Sequence, residues 1–155
     1  MLVILVTTSD NAVRTTLELE QGITLMTIDC AATNYKASKI IEELLSNTIT
    51  DILITYRCPI ILPHIIFSRP RIGAFNIHPS LLPKYPGLNP WEELFRNQER
   101  EGGVTLHWIT EAVDAGPIVF QRSFPIEETD TVETARLKAD KLAAEMVSQL
   151  ILSFS

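Results

Sequence analysis

Asn76 and His78 stand two residues apart at the end of a short apolar run that Pro79 closes. If this run is a β-strand, both side chains leave the same face of it. The carboxyl end of a strand in an open parallel sheet opens into the ligand crevice, so an amide and an imidazole would lie side by side there. Such a pair can stabilise an oxyanion and supply a proton. The alternative is that both residues only fasten the proline-rich loop that follows them.

Asp114 lies in the turn of residues 111–117, between two stretches of strand character. A carboxylate in a Gly-Pro turn usually bonds its own backbone, and this interpretation is favoured by the sequence alone. The second interpretation makes Asp114 a partner of His78. A neighbouring carboxylate favours the imidazolium form, which could then donate a proton near neutral pH.

His107 shares one strand face with Thr105 and Ile109. The sequence allows either a histidine satisfied at a sheet edge, which we expect, or a wall of the same crevice. The spacings of His64, His78 and His107 match no metal-ligand pattern, so no metal site is expected. A glycine-rich phosphate loop of either standard type is also missing from the sequence.

The order of elements indicates the fold that must position these residues. The pattern predicts strands over residues 2–6, 23–28, 51–55, 74–77, 103–110 and 118–124, and helices over 12–20, 35–45, 60–67, 88–97 and from a Thr131 cap onward. Strand and helix alternate through the first half. That alternation predicts an α/β protein with a mostly parallel sheet and helices on both faces.

Composition limits the class of protein. The chain has 155 residues, 13 Lys and Arg against 19 Asp and Glu, and a formal net charge of −6. We expect one domain over residues 1–155, with no membrane segment and no nucleic-acid partner, because no basic patch is evident. Only Cys30 and Cys58 are present, which is typical of a reduced, cytoplasmic compartment, and we interpret both as structural.

Three blocks in the second half of the chain resemble the folate-dependent formyltransferase family. They are residues 76–87 (NIHPSLLPKYPG), 103–107 (GVTLH) and 113–118 (VDAGPI), in the order and spacing of that family. The resemblance covers roughly residues 51–152. It implies a three-layer Rossmann-like domain that takes the formyl group from 10-formyltetrahydrofolate and gives it to a primary amine, without a metal.

The resemblance also implies roles for individual residues. Asn76 and protonated His78 would stabilise the tetrahedral oxyanion, and His78 would protonate the departing folate nitrogen. Asp114 would keep His78 charged and help to pass on the proton of the attacking amine. The folate would lie against the segments around residues 57–62 and 110–114, which gives as folate-binding candidates Arg57, Ile60, Ile61, Leu62, Glu111, Val113 and Asp114. Pro79, Ser80 and His107 are candidates for the substrate side.

The first residues depart from the family pattern. Leu2–Val6 matches the second strand of the family better than the first, which implies that the first strand and helix are missing. Such a loss would expose a sheet edge that could pair with a second copy of the chain. In a second alignment Leu2–Val6 is the true first strand, and Thr7–Asn11 is a shortened loop at a helix N-terminus that could hold a phosphate.

The acceptor amine is open among several branches of the family. Residues 78–87 and 116–119 are most similar to the glycinamide ribonucleotide branch, so a small-molecule amine of that kind is the first expectation. Tyr56-Arg57 and the run 87–91 are similar to the sugar-nucleotide N-formyltransferases. A methionyl-tRNA acceptor fits the acidic chain less well, and we expect the additional C-terminal domain of that branch to be lacking. The sequence is also compatible with hydrolysis of formyltetrahydrofolate, or with a shortened homologue that only binds folate or a partner.

Overall fold

The computed structural model describes residues 1–8, 11–30 and 35–155. The strands are β1 (Leu2–Thr7), β2 (Thr24–Asp29), β3 (Ile52–Tyr56), β4 (Gly73–His78), β5 (Glu101–Trp108) and β6 (Ile118–Pro125). The helices are α1 (Ala12–Leu19), α2 (Tyr35–Asn47), α3 (His64–Phe67), α4 (Pro90–Arg96) and α5 (Val132–Ser153). Each of these elements overlaps one that the sequence predicts.

The strands form a six-stranded sheet in the order β2-β1-β3-β4-β5-β6. The first four are parallel, whereas β5 runs antiparallel to both β4 and β6. The predicted mostly parallel sheet is therefore confirmed. No described helix is long and apolar enough to span a membrane.

Two apolar cores cover the two faces of the sheet. Alternate residues of a strand point to opposite faces, so strands buried on both sides are apolar throughout. One face packs against α1 and α5 and buries Val3, Leu5, Ile52, Ile54, Phe75 and Ile77. The opposite face packs against α2 and α3 and buries Ile4, Val6, Leu53 and Ala74. The result is the three-layer α/β architecture that the resemblance implies.

β1 occupies an interior position in the sheet. Val3 pairs with Leu25 of β2 on one side and with Ile52 of β3 on the other. The open edge expected from a lost first strand therefore does not lie beside β1; within the described residues the sheet ends at β2 and β6. Self-association through a sheet edge stays a prediction.

The segment between β3 and β4 differs from the predicted helix over residues 60–67. Helix α3 begins only at His64, with the extended residue Pro63 as its N-cap. Pro59 and Pro63 each disfavour helical backbone in the residue before them, and Arg57 adopts a left-handed φ of 52°. Residues 57–63 therefore form an open loop that leaves the carboxyl end of β3.

Candidate active site

A cavity of about 600 Å³ lies over the carboxyl ends of β3 and β4. Its walls come from these strand ends, from the loop that follows β3, and from segments near residues 87–91 and 107–114. The strand-end residues Asn76 and His78 both line it, as does Asp114 from the loop between β5 and β6. The sheet thus brings together the three residues for which the resemblance implies a catalytic role.

Asn76 is fixed by three neighbours on the face of the sheet that packs against α2. Thr55 Oγ1 donates a 2.7 Å hydrogen bond to Asn76 Oδ1. This contact turns the amide nitrogen toward His107 Nε2 at 3.1 Å and Asp114 Oδ1 at 3.3 Å. Both N–H groups of the amide therefore face the polar cluster that His107 and Asp114 form.

His78 bridges the proline-rich loop and Asp114. Its Nε2 lies 2.8 Å from the carbonyl oxygen of Tyr85, so Nε2 carries a proton. Its Nδ1 lies 3.5 Å from Asp114 Oδ2. Only the imidazolium form satisfies both acceptors, because a neutral ring donates from one nitrogen alone. His78 does fasten the following loop, as the alternative interpretation holds, and at the same time it faces the carboxylate.

Asp114 does not bond its own turn in the way that the favoured sequence interpretation expects. Oδ2 of its carboxylate accepts a 2.8 Å hydrogen bond from Gly87 N–H, while Oδ1 faces Asn76. Its left-handed backbone, with φ of 52°, turns the side chain into the cavity. A Cβ on Gly116 would lie 1.8 Å from the carbonyl oxygen of Trp108, so the loop fits against β5 only with glycine there.

His107 belongs to the cavity wall, and the expectation of a histidine at a sheet edge is wrong. It lies on β5, which is hydrogen-bonded to β4 on one side and β6 on the other. Nδ1 lies 2.8 Å from the carbonyl oxygen of Trp108, so Nδ1 donates and Nε2 accepts from Asn76. The register shift between Leu106 and His107, where the extra residue Val119 stands in β6, is a β-bulge of the kind that redirects side chains near active sites.

Burial decides the charge state of the cluster. It lowers the pKa of His78, although the hydrogen bond to the Tyr85 carbonyl and the charge of Asp114 act in the opposite direction. Burial thus opposes the expectation that Asp114 keeps His78 charged, and that role of Asp114 stays a prediction. Burial also raises the pKa of Asp114, but the polar contacts with His107 and Gly87 N–H and the nearby histidines outweigh it, so the pKa is lowered and the carboxylate is ionised.

The folate-binding candidates divide into two groups. Those that line the cavity are Arg57, Ile60, Ile61, Leu62, Val113 and Asp114, whereas Glu111 lies outside its lining. On the substrate side, Pro79 and His107 line it. Ser80 is buried elsewhere, because its hydroxyl donates to the Lys84 carbonyl and its own carbonyl accepts from Thr105.

The sequence did not point to several residues of the cavity lining, namely Thr8, Thr55, Trp91 and Arg136. They come from elements far apart in the chain, so no local spacing joins them. Asp140 is the one signal of this wall that the sequence contains. It lies within the apolar stripe of α5, and an acid that is buried there must have a polar partner. Among the residues that the structure describes, no group of three His, Cys, Asp or Glu side chains is placed so that it could hold a metal ion.

The fold is that of a Rossmann-like α/β protein, with a buried Asn-His-Asp cluster in a cavity at its strand ends. A family model described as formyl transferase matches residues 1–151. The chain belongs to this formyl transferase family.

Individual relatives agree with the family. Methionyl-tRNA formyltransferase of Staphylococcus epidermidis is 37% identical over 118 residues, which are 76% of this chain and 38% of that protein. The chain thus spans well under half of this relative. Phosphoribosylglycinamide formyltransferase of Streptococcus pneumoniae has a TM-score of 0.77 at 18% identity, covering 99% of this chain and 97% of that chain. A sugar N-formyltransferase from Shewanella has a TM-score of 0.74 at 22% identity, with 97% and 68% covered.

Proposed function

We propose that this protein transfers a formyl group from 10-formyltetrahydrofolate to a primary amine. The observation that carries the proposal is the convergence of Asn76, His78 and Asp114 within one cavity, with Asn76 Nδ2 3.3 Å and His78 Nδ1 3.5 Å from the same carboxylate. Membership in the formyl transferase family supports it. The three residues supply an oxyanion donor, a proton carrier and a fixed negative charge.

Each step of the transfer has a group suited to it. When the amine attacks the formyl carbon, Asn76 Nδ2–H donates a hydrogen bond to the oxygen that becomes negative, and His78 becomes a second donor once its Nδ1 has taken a proton from the amine. Because burial lowers the pKa of His78 and so favours the neutral ring in the free protein, the proton that it delivers to the departing folate nitrogen comes from the attacking amine. Asp114 stabilises the imidazolium that exists between these two proton transfers. The oxyanion then collapses as the bond to the folate nitrogen breaks, and no net proton is taken up or released.

The apolar mouth of the cavity supports a flat aromatic co-substrate. Ile61 and Val113 line the cavity and are 71% and 54% exposed. Exposed apolar side chains at the rim of a cavity usually mark a ligand surface. Residues 57–62 also line the cavity, which is where the resemblance to the family places the folate.

Two acceptors are the candidates for the amine. The first is a small molecule such as glycinamide ribonucleotide, which the sequence favours through residues 78–87 and 116–119. The second is the aminoacyl end of a tRNA, which is favoured by the 37% identity to a relative named methionyl-tRNA formyltransferase. Structures named as glycinamide ribonucleotide enzymes share the fold at 20% identity or less in two cases, which does not decide between acceptors.

The test is an assay with purified protein, 10-formyltetrahydrofolate and a panel of amines. The panel contains glycinamide ribonucleotide, an amino-sugar nucleotide and methionyl-tRNA, and product is detected by mass. A formylated amine supports the proposal and identifies the acceptor. Formate release without any amine would point to hydrolysis instead. Measurable folate binding with no formylated product and no formate would leave only a binding module and contradict the proposal.

A further inference from the structure

The cavity reaches over the strand ends from one face of the sheet to the other. Thr55 and Asn76, which are register partners, place their linked side chains on the α2 face. The neighbouring residue Tyr56 belongs to the core on the α5 face. The cavity contacts this second face as well, because Tyr56, Arg57 and Arg136 also line it. The catalytic cluster therefore fills one side of the cavity, and two arginines lie toward the opposite side.

Arg57 is anchored by a buried carboxylate. Its Nη2 donates a 3.2 Å hydrogen bond to Asp140 Oδ2, and the Tyr56 hydroxyl hydrogen-bonds to the second carboxylate oxygen. Asp140 is only 8% exposed, whereas the Arg57 side chain is 30% exposed. One nitrogen of the guanidinium is thus fixed in place, while the Arg57 side chain stays partly exposed and lines the cavity.

Arg136 lies one helical turn before Asp140 on α5, so the two side chains share a helix face. It is exposed at the cavity wall, and within the described part of the chain no hydrogen bond or ion pair involves its guanidinium. The charged side chains of the cavity lining are Arg57, Arg136 and Asp114. Asp140 balances the charge of Arg57, so Arg136 supplies the unbalanced positive charge at this end of the cavity, in a protein whose net charge is −6.

We propose that Arg57 and Arg136 form a subsite for a phosphate group carried by the acceptor amine. This inference rests on the proposed function and specifies its second substrate. The planar guanidinium group matches phosphate oxygens in paired hydrogen bonds, and an anchored fork loses little entropy on binding. The exposed apolar residues Ile61 and Val113 lie on the loops that follow β3 and β5. The folate therefore takes the side of the cavity that these loops form, and the acceptor takes the α5 side.

The same chemistry could come from two sources. A small amine can carry a phosphate monoester, and a tRNA carries phosphate diesters close to its aminoacyl end. Both would place a primary amine at the Asn76–His78 cluster while the phosphate contacts the arginines. The test therefore uses one acceptor of each kind.

Calorimetric binding is the first measurement, because it does not depend on turnover. Wild-type protein is titrated with glycinamide ribonucleotide and with the same compound lacking its phosphate. We expect tighter binding of the phosphorylated form, and Arg136→Ala should reduce that affinity by about tenfold or more, the usual effect of losing a hydrogen bond to a charged group. Lys141→Ala removes an exposed charge from the same helix outside the cavity and should change nothing. Methionyl-tRNA and methionine amide, which carries no phosphate, form the second pair.

Kinetics separate this proposal from the proposed function. If formyl transfer occurs, Arg136→Ala should raise KM for the phosphorylated amine, leave kcat within about twofold, and leave KM for 10-formyltetrahydrofolate unchanged. Arg136→Lys should recover part of the loss. If Arg136→Ala weakens the binding of the phosphorylated acceptor in only one of the two pairs, that pair identifies the source of the phosphate. The proposal is overturned if phosphate makes no difference to binding with either pair, or if the substitution raises KM for the folate instead. Absence of transfer with normal phosphate-dependent binding would contradict only the proposed function.

Discussion

The two walls of the cavity differ in how tightly they hold their polar side chains. On the α2 face, the side chains of His78 and Asp114 are 6% and 8% exposed, and each has partners within the cluster. On the α5 side, Arg57 is 30% exposed and Arg136 lies at the surface. A wall that stabilises a transition state needs fixed, water-excluded groups, whereas a wall that recognises a substrate group can order itself on binding. This difference supports our proposals that the first wall carries the chemistry and that the second recognises the acceptor.

The largest effect should come from removing the charge of Asp114. Asparagine adopts the left-handed backbone of this position readily, and its oxygen can still accept from Gly87 N–H. We therefore expect Asp114→Asn to keep the fold and to lower kcat for formyl transfer by about 10²- to 10⁴-fold, the usual contribution of acid–base catalysis. Initial rates at saturating substrates, with thermal unfolding as the control, measure this. Near wild-type turnover would remove Asp114 from the chemistry.

Asn76→Ala comes next. Loss of one oxyanion donor costs about 10²- to 10³-fold in kcat. Thr55→Val is the matched variant, because it leaves the amide in place but removes the hydroxyl that orients it. We expect Thr55→Val to lower kcat by about tenfold, in line with the loss of one hydrogen bond. If Asn76→Ala instead raised KM with kcat unchanged, the amide would only position substrate.

Cys58 offers a smaller test of where the folate lies. It lines the cavity and is partly exposed, and a hydrogen bond with Cys30 lowers the pKa of its thiol despite burial. Iodoacetamide should modify Cys58 before the buried Cys30, and saturating 10-formyltetrahydrofolate should slow the modification several-fold. Peptide mass mapping reads the outcome, with Cys58→Ser as the control. Equal rates with and without the folate would place it away from the loop of residues 57–63.

The smallest effect concerns stability against pH. The pKa of His78 is lowered from its ordinary 6.5, so the unfolded chain binds this proton more tightly than the folded protein. The stability linked to His78 is therefore complete above about pH 6.5 and is lost as the pH falls through the lowered pKa. His78→Gln removes this titration. Between about pH 7.5 and about pH 5.5, urea denaturation should show a smaller loss of the free energy of unfolding in the variant than in the wild type. Equal losses would mean that His78 is not desolvated.

The sequence was sufficient for the elements and for the central residues of the site. β-branched runs predicted the strands, and the spacing of Asn76 and His78 placed both on one face at a strand end, as observed. Prolines limited the prediction at α3, because Pro59 and Pro63 stop the helix that the apolar residues suggest. A local sequence pattern cannot show that residues 57–63 form a loop that opens over the carboxyl ends of the strands.

Long-range pairing determined the rest of the site. The place of His107 depends on β5 lying between β4 and β6, which no spacing within β5 reveals. The charge state of His78 depends on how deeply the neighbouring loops bury it, and a nearby carboxylate alone suggested the opposite direction. The α5 wall depends on the hydrogen bonds of Asp140 with Tyr56 and Arg57, which lie more than 80 positions earlier in the chain.

Saturation kinetics with the amine test the division between the two walls most directly. Asp114→Asn and Arg136→Ala are assayed side by side with a phosphorylated acceptor and saturating 10-formyltetrahydrofolate. We expect Asp114→Asn to lower kcat by about a hundredfold or more with little change in KM, and Arg136→Ala to raise KM about tenfold with kcat preserved. A fall in kcat for Arg136→Ala, or a change confined to KM for Asp114→Asn, would contradict the assignment of chemistry to one wall and recognition to the other.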